Sequence, residues 1–270
     1  MGKEECIKQL KELTGKSGVL IVKRGNTAIR LALKLVKEIG YKEVLIQDQG
    51  GWLTYKQFCG KEKLSCIEIP TDYGLVEPKS LQAHPGSVLL INSLPGYAAL
   101  QDMDSLVEVC RKNKIFIIND VSGSISSKQA LVGDIIIGSF GNGKPVNLGG
   151  GGFIASNDVV FNEYFAKGTE AVDLDFKALE KALCDLDERV VFLATKRKKL
   201  IETIKATPGF SESIIHPDKE GFNVIVKFED EKQRETLINI ASDSKVEFTL
   251  CPRDIRIKDQ AVCFEVKRLK

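Results

Sequence analysis

The chain has 270 residues, 43% of them hydrophobic and 28% charged, a balance that suits a soluble globular protein and excludes disorder, a collagen repeat and a coiled coil. Lysine and arginine number 39 against 37 aspartates and glutamates, for a formal net charge of +2 with the signs interspersed, so composition offers no phosphate-tracking surface for nucleic acid. Seven cysteines form an odd, scattered set without a CxxC pair, which argues against a zinc site or disulfide framework and reads as reduced core thiols.

The first fifteen residues alternate charged and apolar positions at helical spacing, with no signal-peptide core, and no apolar run reaches membrane length. The expected compartment is therefore the cytoplasm. From residue 18 to about 156, short apolar runs at 18–23, 43–47, 64–69, 87–91, 115–118, 134–138 and 152–155 alternate with amphipathic stretches such as 27–39 and 101–113. That alternation predicts an α/β fold of three layers, αβα, around a mostly parallel sheet. Over 175–206 the leucines and their neighbours keep a 4-3-4-3 spacing that predicts one long helix ending before Pro208-Gly209, and a strand, a helix opened by Asp230 and two strands follow. We read two domains, a large one at 1–170 and a small C-terminal α+β domain at 171–270 that begins with the long helix.

Ligands of parallel α/β sheets sit beyond the carboxyl ends of the strands, so the residues after each apolar run come first. After 18–23 stand Gly25, Asn26 and Thr27 at a helix start, where free N–H groups favour an anion such as phosphate, or where Asn26 or Thr27 simply caps the helix. After 115–118 comes Asp120 with Ser122 behind it, a carboxylate that either caps the next turn or faces a cationic partner such as a ring nitrogen. After 134–138 come Ser139 and Lys144 and then four glycines, 149–152. Residues 138–144 match GxxxxGK, but Pro145 replaces the magnesium-binding hydroxyl and no helix follows the lysine, so a P-loop is rejected. Taken alone, Lys144 would be a solvated loop residue.

The order of these features, with Trp52 in an aromatic-bearing loop at 50–55, resembles the pyridoxal-phosphate enzymes of the aspartate-aminotransferase fold (fold type I), and most closely the DegT/DnrJ/EryC1/StrS aminotransferase group, over about residues 18–206. The resemblance implies that Lys144 forms a Schiff base with pyridoxal 5'-phosphate and that Asp120 pairs with the pyridine nitrogen, keeping the ring an electron sink. It implies a phosphate held by Gly25, Asn26, Thr27 and Ser139, with Ser122 and Trp52 beside the ring. Trp52, the sole tryptophan, is equally readable as a core anchor. The charged run 185–189 resembles the family's interdomain helix. The implied function is an aminotransferase acting on an amino acid or an amino or keto sugar, as a homodimer with a small-molecule amino donor and acceptor.

Gly123 stands three residues after Asp120, where the sugar aminotransferases carry a glutamine. Arg253 or Arg256 would match the small-domain arginine of amino-acid aminotransferases, although each reads first as a surface residue. His84 and His216, the only two histidines, receive no catalytic role, which argues against a cysteine desulfurase. A lyase or desulfurase-type reaction on the same cofactor, or a non-catalytic binding protein on the same fold, remain the rival readings. No metal is expected.

Overall fold

The computed structural model describes residues 2–270. Helix α1 (Lys3–Thr14) leads into strand β1 (Gly18–Val22), α2 (Gly25–Glu38), β2 (Glu43–Gln47), α3 (Thr54–Glu62) and β3 (Ser65–Ile69). A small hairpin of β4 (Thr71–Asp72) and β5 (Leu75–Val76) precedes β6 (Val88–Asn92), α4 (Met103–Lys112), β7 (Phe116–Asp120), β8 (Ile135–Ser139), β9 (Gly152–Ser156) and α5 (Val159–Lys167). The central sheet has seven strands in the order β1-β9-β8-β7-β6-β2-β3. Its pairs from β3 to β8 are parallel, while β9 runs antiparallel to both β8 and β1. The sheet is thus mostly parallel, with one reversed strand. The glycine-rich segment after Lys144 makes that reversal, because it returns the chain beside β8 without the helix a parallel crossover needs.

Alternate residues of the central strands feed two cores. Val44, Ile46, Val88, Leu90, Ile135 and Ile137 pack with α2, α3 and α5 on one face. On the other, Leu45, Leu89 and Ile91 pack with α4, and Ile21, Ile136 and Phe153 pack with α1. Both faces are covered, which is why these runs read as continuously apolar rather than alternating. Asp102 caps α4 by accepting from the Ser105 amide at 3.4 Å, the role the Asp-rich turn suggests.

The single helix expected over 175–206 is in fact two, α6 (Phe176–Cys184) and α7 (Leu186–Ala206). The break falls at Asp185, whose backbone leaves helical geometry at φ −83° and ψ 2°. Its cause is that the two halves serve different cores. Leu179, Leu183 and Leu186 pack with Cys6 and Leu10 of α1, whereas Leu193, Leu200, Ile201 and Ile204 pack against the C-terminal unit. One straight helix could not bury both stripes. That unit contains β10 (Val224–Lys227), α8 (Glu231–Asp243), β11 (Phe248–Cys251) and β12 (Ala261–Phe264), with sheet order β10-β12-β11 and both pairs antiparallel. Asp230 opens α8 by accepting from the Gln233 amide at 2.7 Å.

All seven cysteines are free, but Cys184 is exposed at the end of α6 and Cys66 half-buried, so the expectation of core thiols holds for the other five only. Arg256 corrects the surface reading in the opposite sense. It is 5% exposed because a buried carboxylate, Glu265, waits for it.

Candidate active site

At the carboxyl ends of β1, β6, β7 and β8 the structure opens a cleft of about 670 Å³, within the range of small-molecule sites. Gly25, Asn26, Trp52, Asp120, Ser122, Ser139 and Lys144 all line it. Thr27 lies in the first turn of α2 and does not reach the cleft. Residues dispersed over 120 positions of sequence thus share one space, because the parallel strands deliver their ends to one edge.

One end of the cleft is built to take an anion. Helix α2 starts at Gly25, and its first amides have no partner within the helix. A Cβ on Gly25 would lie 2.7 Å from Ser139 Cβ, and one on Gly152 would lie 2.6 Å from the Gly138 carbonyl and 2.7 Å from the Gly25 nitrogen. Only glycines let the helix start seat this closely on β8 and β9. Asn26 Oδ1 accepts from Trp52 Nε1 at 2.9 Å and from Thr54 Oγ1 at 3.2 Å, which leaves its amide nitrogen as a donor toward the cleft.

Further in, Asp120 ends β7 and is 6% exposed. The Tyr55 hydroxyl donates to Oδ2 at 2.6 Å and the Ser122 amide to Oδ1 at 3.0 Å. Both neighbours are donors, so the carboxylate is stabilised as an acceptor while still facing the cleft. Burial, and then the adjacent Asp120 charge, push the Tyr55 phenol well above its ordinary value, so it stays a donor.

Lys144 sits on the loop between β8 and β9, which Gly143 and Gly149 turn at φ +66° and +75°. Its ammonium donates to the Tyr97 hydroxyl and stands 5.2 Å from the centre of the Trp52 ring. Trp52 is 39% exposed at the cleft mouth, which removes it from the core. Tyr97 takes the room beside Gly123. A Cβ on Gly123 would lie 2.8 Å from Tyr97 Cε1 and 3.0 Å from Leu94 Cδ2, so no glutamine fits there while the tyrosine is in place.

Tyr97 is held from the C-terminal unit. Its backbone is left-handed at φ +62°, and the Phe222 and Asn223 amides both donate to its carbonyl at 2.8 Å. Asn223 Nδ2 also donates to the Gly96 carbonyl at 3.1 Å and to Glu265 Oε2 at 3.2 Å. Glu265 is fully buried and accepts from Arg256 at 2.8 to 2.9 Å. Lys267, 5% exposed, donates to the Gly143 carbonyl at 3.1 Å. Burial lowers the Lys267 amine to about 8; Glu265 opposes the shift, and Arg256, Lys144 and Arg268 reinforce it.

Sequence reasoning passed over Tyr55, Tyr97, Glu265 and Lys267. Tyr97 had a signal, since it follows the apolar run at 87–91 and so stands past a strand end. Tyr55 lay inside the aromatic loop without a role. Nothing local marks Glu265 or Lys267, whose partners come from distant segments. Of the two candidate carboxylate-binding arginines, Arg253 is exposed and Arg256 is engaged with Glu265. His84 pairs with Glu43 at 3.0 Å and His216 with the Asp72 carbonyl at 3.0 Å, both outside the cleft. Among the described residues no cluster of metal-ligating side chains occurs.

The donor set suits pyridoxal phosphate. The α2 start with Asn26 and Ser139 matches a phosphate, Asp120 a protonated ring nitrogen, Lys144 an aldehyde carbon, and the open Trp52 face an aromatic ring. Comparisons with known proteins point to the same cofactor, without assigning the residues that hold it. The model of the DegT/DnrJ/EryC1/StrS aminotransferase family matches residues 4–167, and that of the MJ1341 family C-terminal domain matches residues 194–270. No curated protein matches the sequence. Similar solved structures include 3-amino-5-hydroxybenzoic acid synthase, at 15% identity and TM-score 0.74 over 98% of this chain and 85% of that one. DesI, solved in the presence of its TDP-sugar product, gives 14% and 0.75 over 97% and 78%. The histidinol-phosphate aminotransferase of Clostridium acetobutylicum gives 15% and 0.72 over 97% and 83%. At these identities the likeness is one of fold.

Proposed function

The chain belongs to the DegT/DnrJ/EryC1/StrS aminotransferase family and is by that membership a pyridoxal-phosphate-dependent transferase; we propose that Lys144 is its covalent anchor and Asp120 its ring-nitrogen partner. The observation that carries this reading is the convergence of a primary amine, a donor-held carboxylate and a glycine-cleared helix start on one cleft. Bound there, pyridoxal phosphate would supply an electron sink for bonds at the amine-bearing carbon of a substrate.

The chain's own residues divide the remaining work. Gly25, Asn26 and Ser139 hold an anion at the α2 start, fixing one end of the ligand. Asp120 accepts from the Tyr55 hydroxyl and the Ser122 amide, which fixes the carboxylate in place, and it presents its charge to a cationic partner opposite. Lys144, once neutral, has the lone pair to act as nucleophile and to take or return a proton. Trp52 covers the mouth, and Ile255 and Arg256 bring the C-terminal unit to the rim, narrowing solvent access.

Substrates of this chain are an amino donor and a carbonyl acceptor of small size. Trp52 at the cleft mouth and its neighbour Leu53, 39% and 51% exposed, support assembly as a homodimer that covers them. The free thiols suit a reducing compartment, and we place the protein in the cytoplasm. Among the described residues no helix is long and apolar enough to cross a membrane.

The test is to incubate the purified chain with pyridoxal phosphate, reduce with borohydride and map the adduct by peptide mass spectrometry. A phosphopyridoxyl group on Lys144, absent from Lys144→Ala, is expected, followed by amino-group exchange in a donor and acceptor screen. No adduct on a folded wild-type chain would defeat the reading.

A further inference from the structure

A second cleft, of about 640 Å³, lies behind the wall of the first, and its size is that of a small-molecule site. Leu94, Gly123 and Ser124 line it from the large-domain side, α7 lines it from another, and the segment 217–222 completes it. The two clefts share no lining residue. Tyr97, which faces the first, stands on the far side of Gly123, where its Cε1 would be 2.8 Å from an added Cβ.

Inside, the second cleft is apolar with one exception. Leu94, Ile201 and Phe222 are buried in it. Val190, Ala194, Arg197 and Ile201 follow one another along α7 at intervals of four, three and four, so the helix presents a single face to the space. Arg197 is 7% exposed, and of the charged residues in the lining it alone is buried. Its Nε donates to the Asn223 carbonyl at 3.2 Å and its Nη1 to that of Pro217 at 3.4 Å. Nη2 donates to the carbonyls of Ala98 and His216 at 3.3 and 3.1 Å. A guanidinium has five N–H donors, so one on Nη1 is left over.

Those carbonyls orient Arg197 but bring no negative charge. Burial lowers the guanidinium to about 10, so it is cationic at neutral pH, and the carboxylate that opposes the shift is Asp218. Asp218 is exposed at the mouth, 3.9 Å from Lys205. The other charges there balance in number, Lys198 and Lys219 against Glu202 and Glu220, all exposed. A buried cation without its own carboxylate is costly, and here it is kept where a ligand can supply one.

We propose that the second cleft binds a small organic monocarboxylate with an apolar body, its carboxylate turned to Arg197 and its hydrocarbon against Leu94, Ile201 and Phe222. One buried cation matches one negative charge, while the three carboxylates at the mouth disfavour a dianion such as phosphate. Neither Lys144 nor Asp120 lines this space, so the site does not depend on which residues anchor the cofactor.

The test is photolabelling with 4-benzoylbenzoate, an apolar probe with a single carboxylate, followed by peptide mapping, with and without pyridoxal phosphate. Saturable adducts on peptides covering 190–201 or 217–222 are expected in both conditions. The neutral 4-benzoylbenzamide, which lacks the charge-assisted contact, should need about tenfold or more higher concentration for half-saturation. Ala194→Trp fills the cleft from an exposed position of α7 and should abolish these adducts in a folded chain. Arg197→Met should make acid and amide equal; because Arg197 also ties four carbonyls, the wild-type comparison and Ala194→Trp decide the matter if that variant fails to fold. Equal half-saturation by acid and amide in wild type, adducts confined to the first cleft, absence of saturable labelling, or labelling unchanged in Ala194→Trp would each overturn the proposal. Labelling at 190–201 without a borohydride adduct on Lys144 would support the second site and defeat the cofactor anchor, whereas the opposite pair of results would do the reverse.

Discussion

Glu265→Gln tests how the C-terminal unit is tied to the cleft. Glu265 is fully buried, with Arg256 on both oxygens at 2.8 to 2.9 Å and Asn223 donating at 3.2 Å. Burial pushes its carboxyl up, but Arg256 and Lys267 bring it below the usual glutamate range. Glutamine keeps the shape and one acceptor but leaves Arg256, 5% exposed, without a counter-charge. Removing one partner of a buried pair costs about 3 to 5 kcal/mol. For a chain of this size that loss corresponds to a fall of about 6 to 20 °C in the unfolding midpoint. Urea unfolding followed by circular dichroism measures it, with Arg256→Met and the double variant completing a cycle. The double variant should be more stable than Glu265→Gln, because the buried Arg256 guanidinium no longer sits without its carboxylate. A single-variant cost below about 1 kcal/mol, or strictly additive losses, would refute the view that this pair is dry and mutually dependent.

Three further outcomes follow from the same geometry. Gly123→Gln should cost about 1 to 3 kcal/mol in denaturant unfolding because its Cβ would meet Tyr97 Cε1 at 2.8 Å; a neutral substitution would mean the ring moves freely. Tyr55→Phe removes the 2.6 Å bond to Asp120, so it should lower stability by about 1 to 3 kcal/mol and weaken pyridoxal phosphate retention in a spectroscopic titration. Unchanged retention would separate Asp120 from the cofactor. Lys267 binds its proton less readily when folded, at about 8 against the ordinary 10.5. Its charge therefore opposes folding below that window, and the stability it contributes rises as pH passes from about 8 to 10.5, by about 3 kcal/mol at most. The difference between wild type and Lys267→Met in urea unfolding should grow over that interval; a flat difference would refute the shift.

The strand runs, the αβα layering and the strand-end residues Asp120, Ser139 and Lys144 were legible in the sequence because buried parallel strands must be continuously apolar, and because glycines and polar side chains mark where they stop. Tyr97 was within reach of the same rule, standing just after β6. The break at Asp185 was not, because the leucine spacing runs through it unbroken; only the presence of two separate cores, one around α1 and one around the C-terminal sheet, bends the chain there. Arg256, Glu265 and Lys267 carry no local signature either. Charged side chains look alike in sequence whether they face water or each other, and their burial depends on where β12 and the turn at Val266–Arg268 come to lie. The sequence by itself determined which residues could do the chemistry at the strand ends. The tertiary structure decided what surrounds them, a tyrosine in the room beside Gly123 and a second amine against that tyrosine, since packing and electrostatics act across space rather than along the chain.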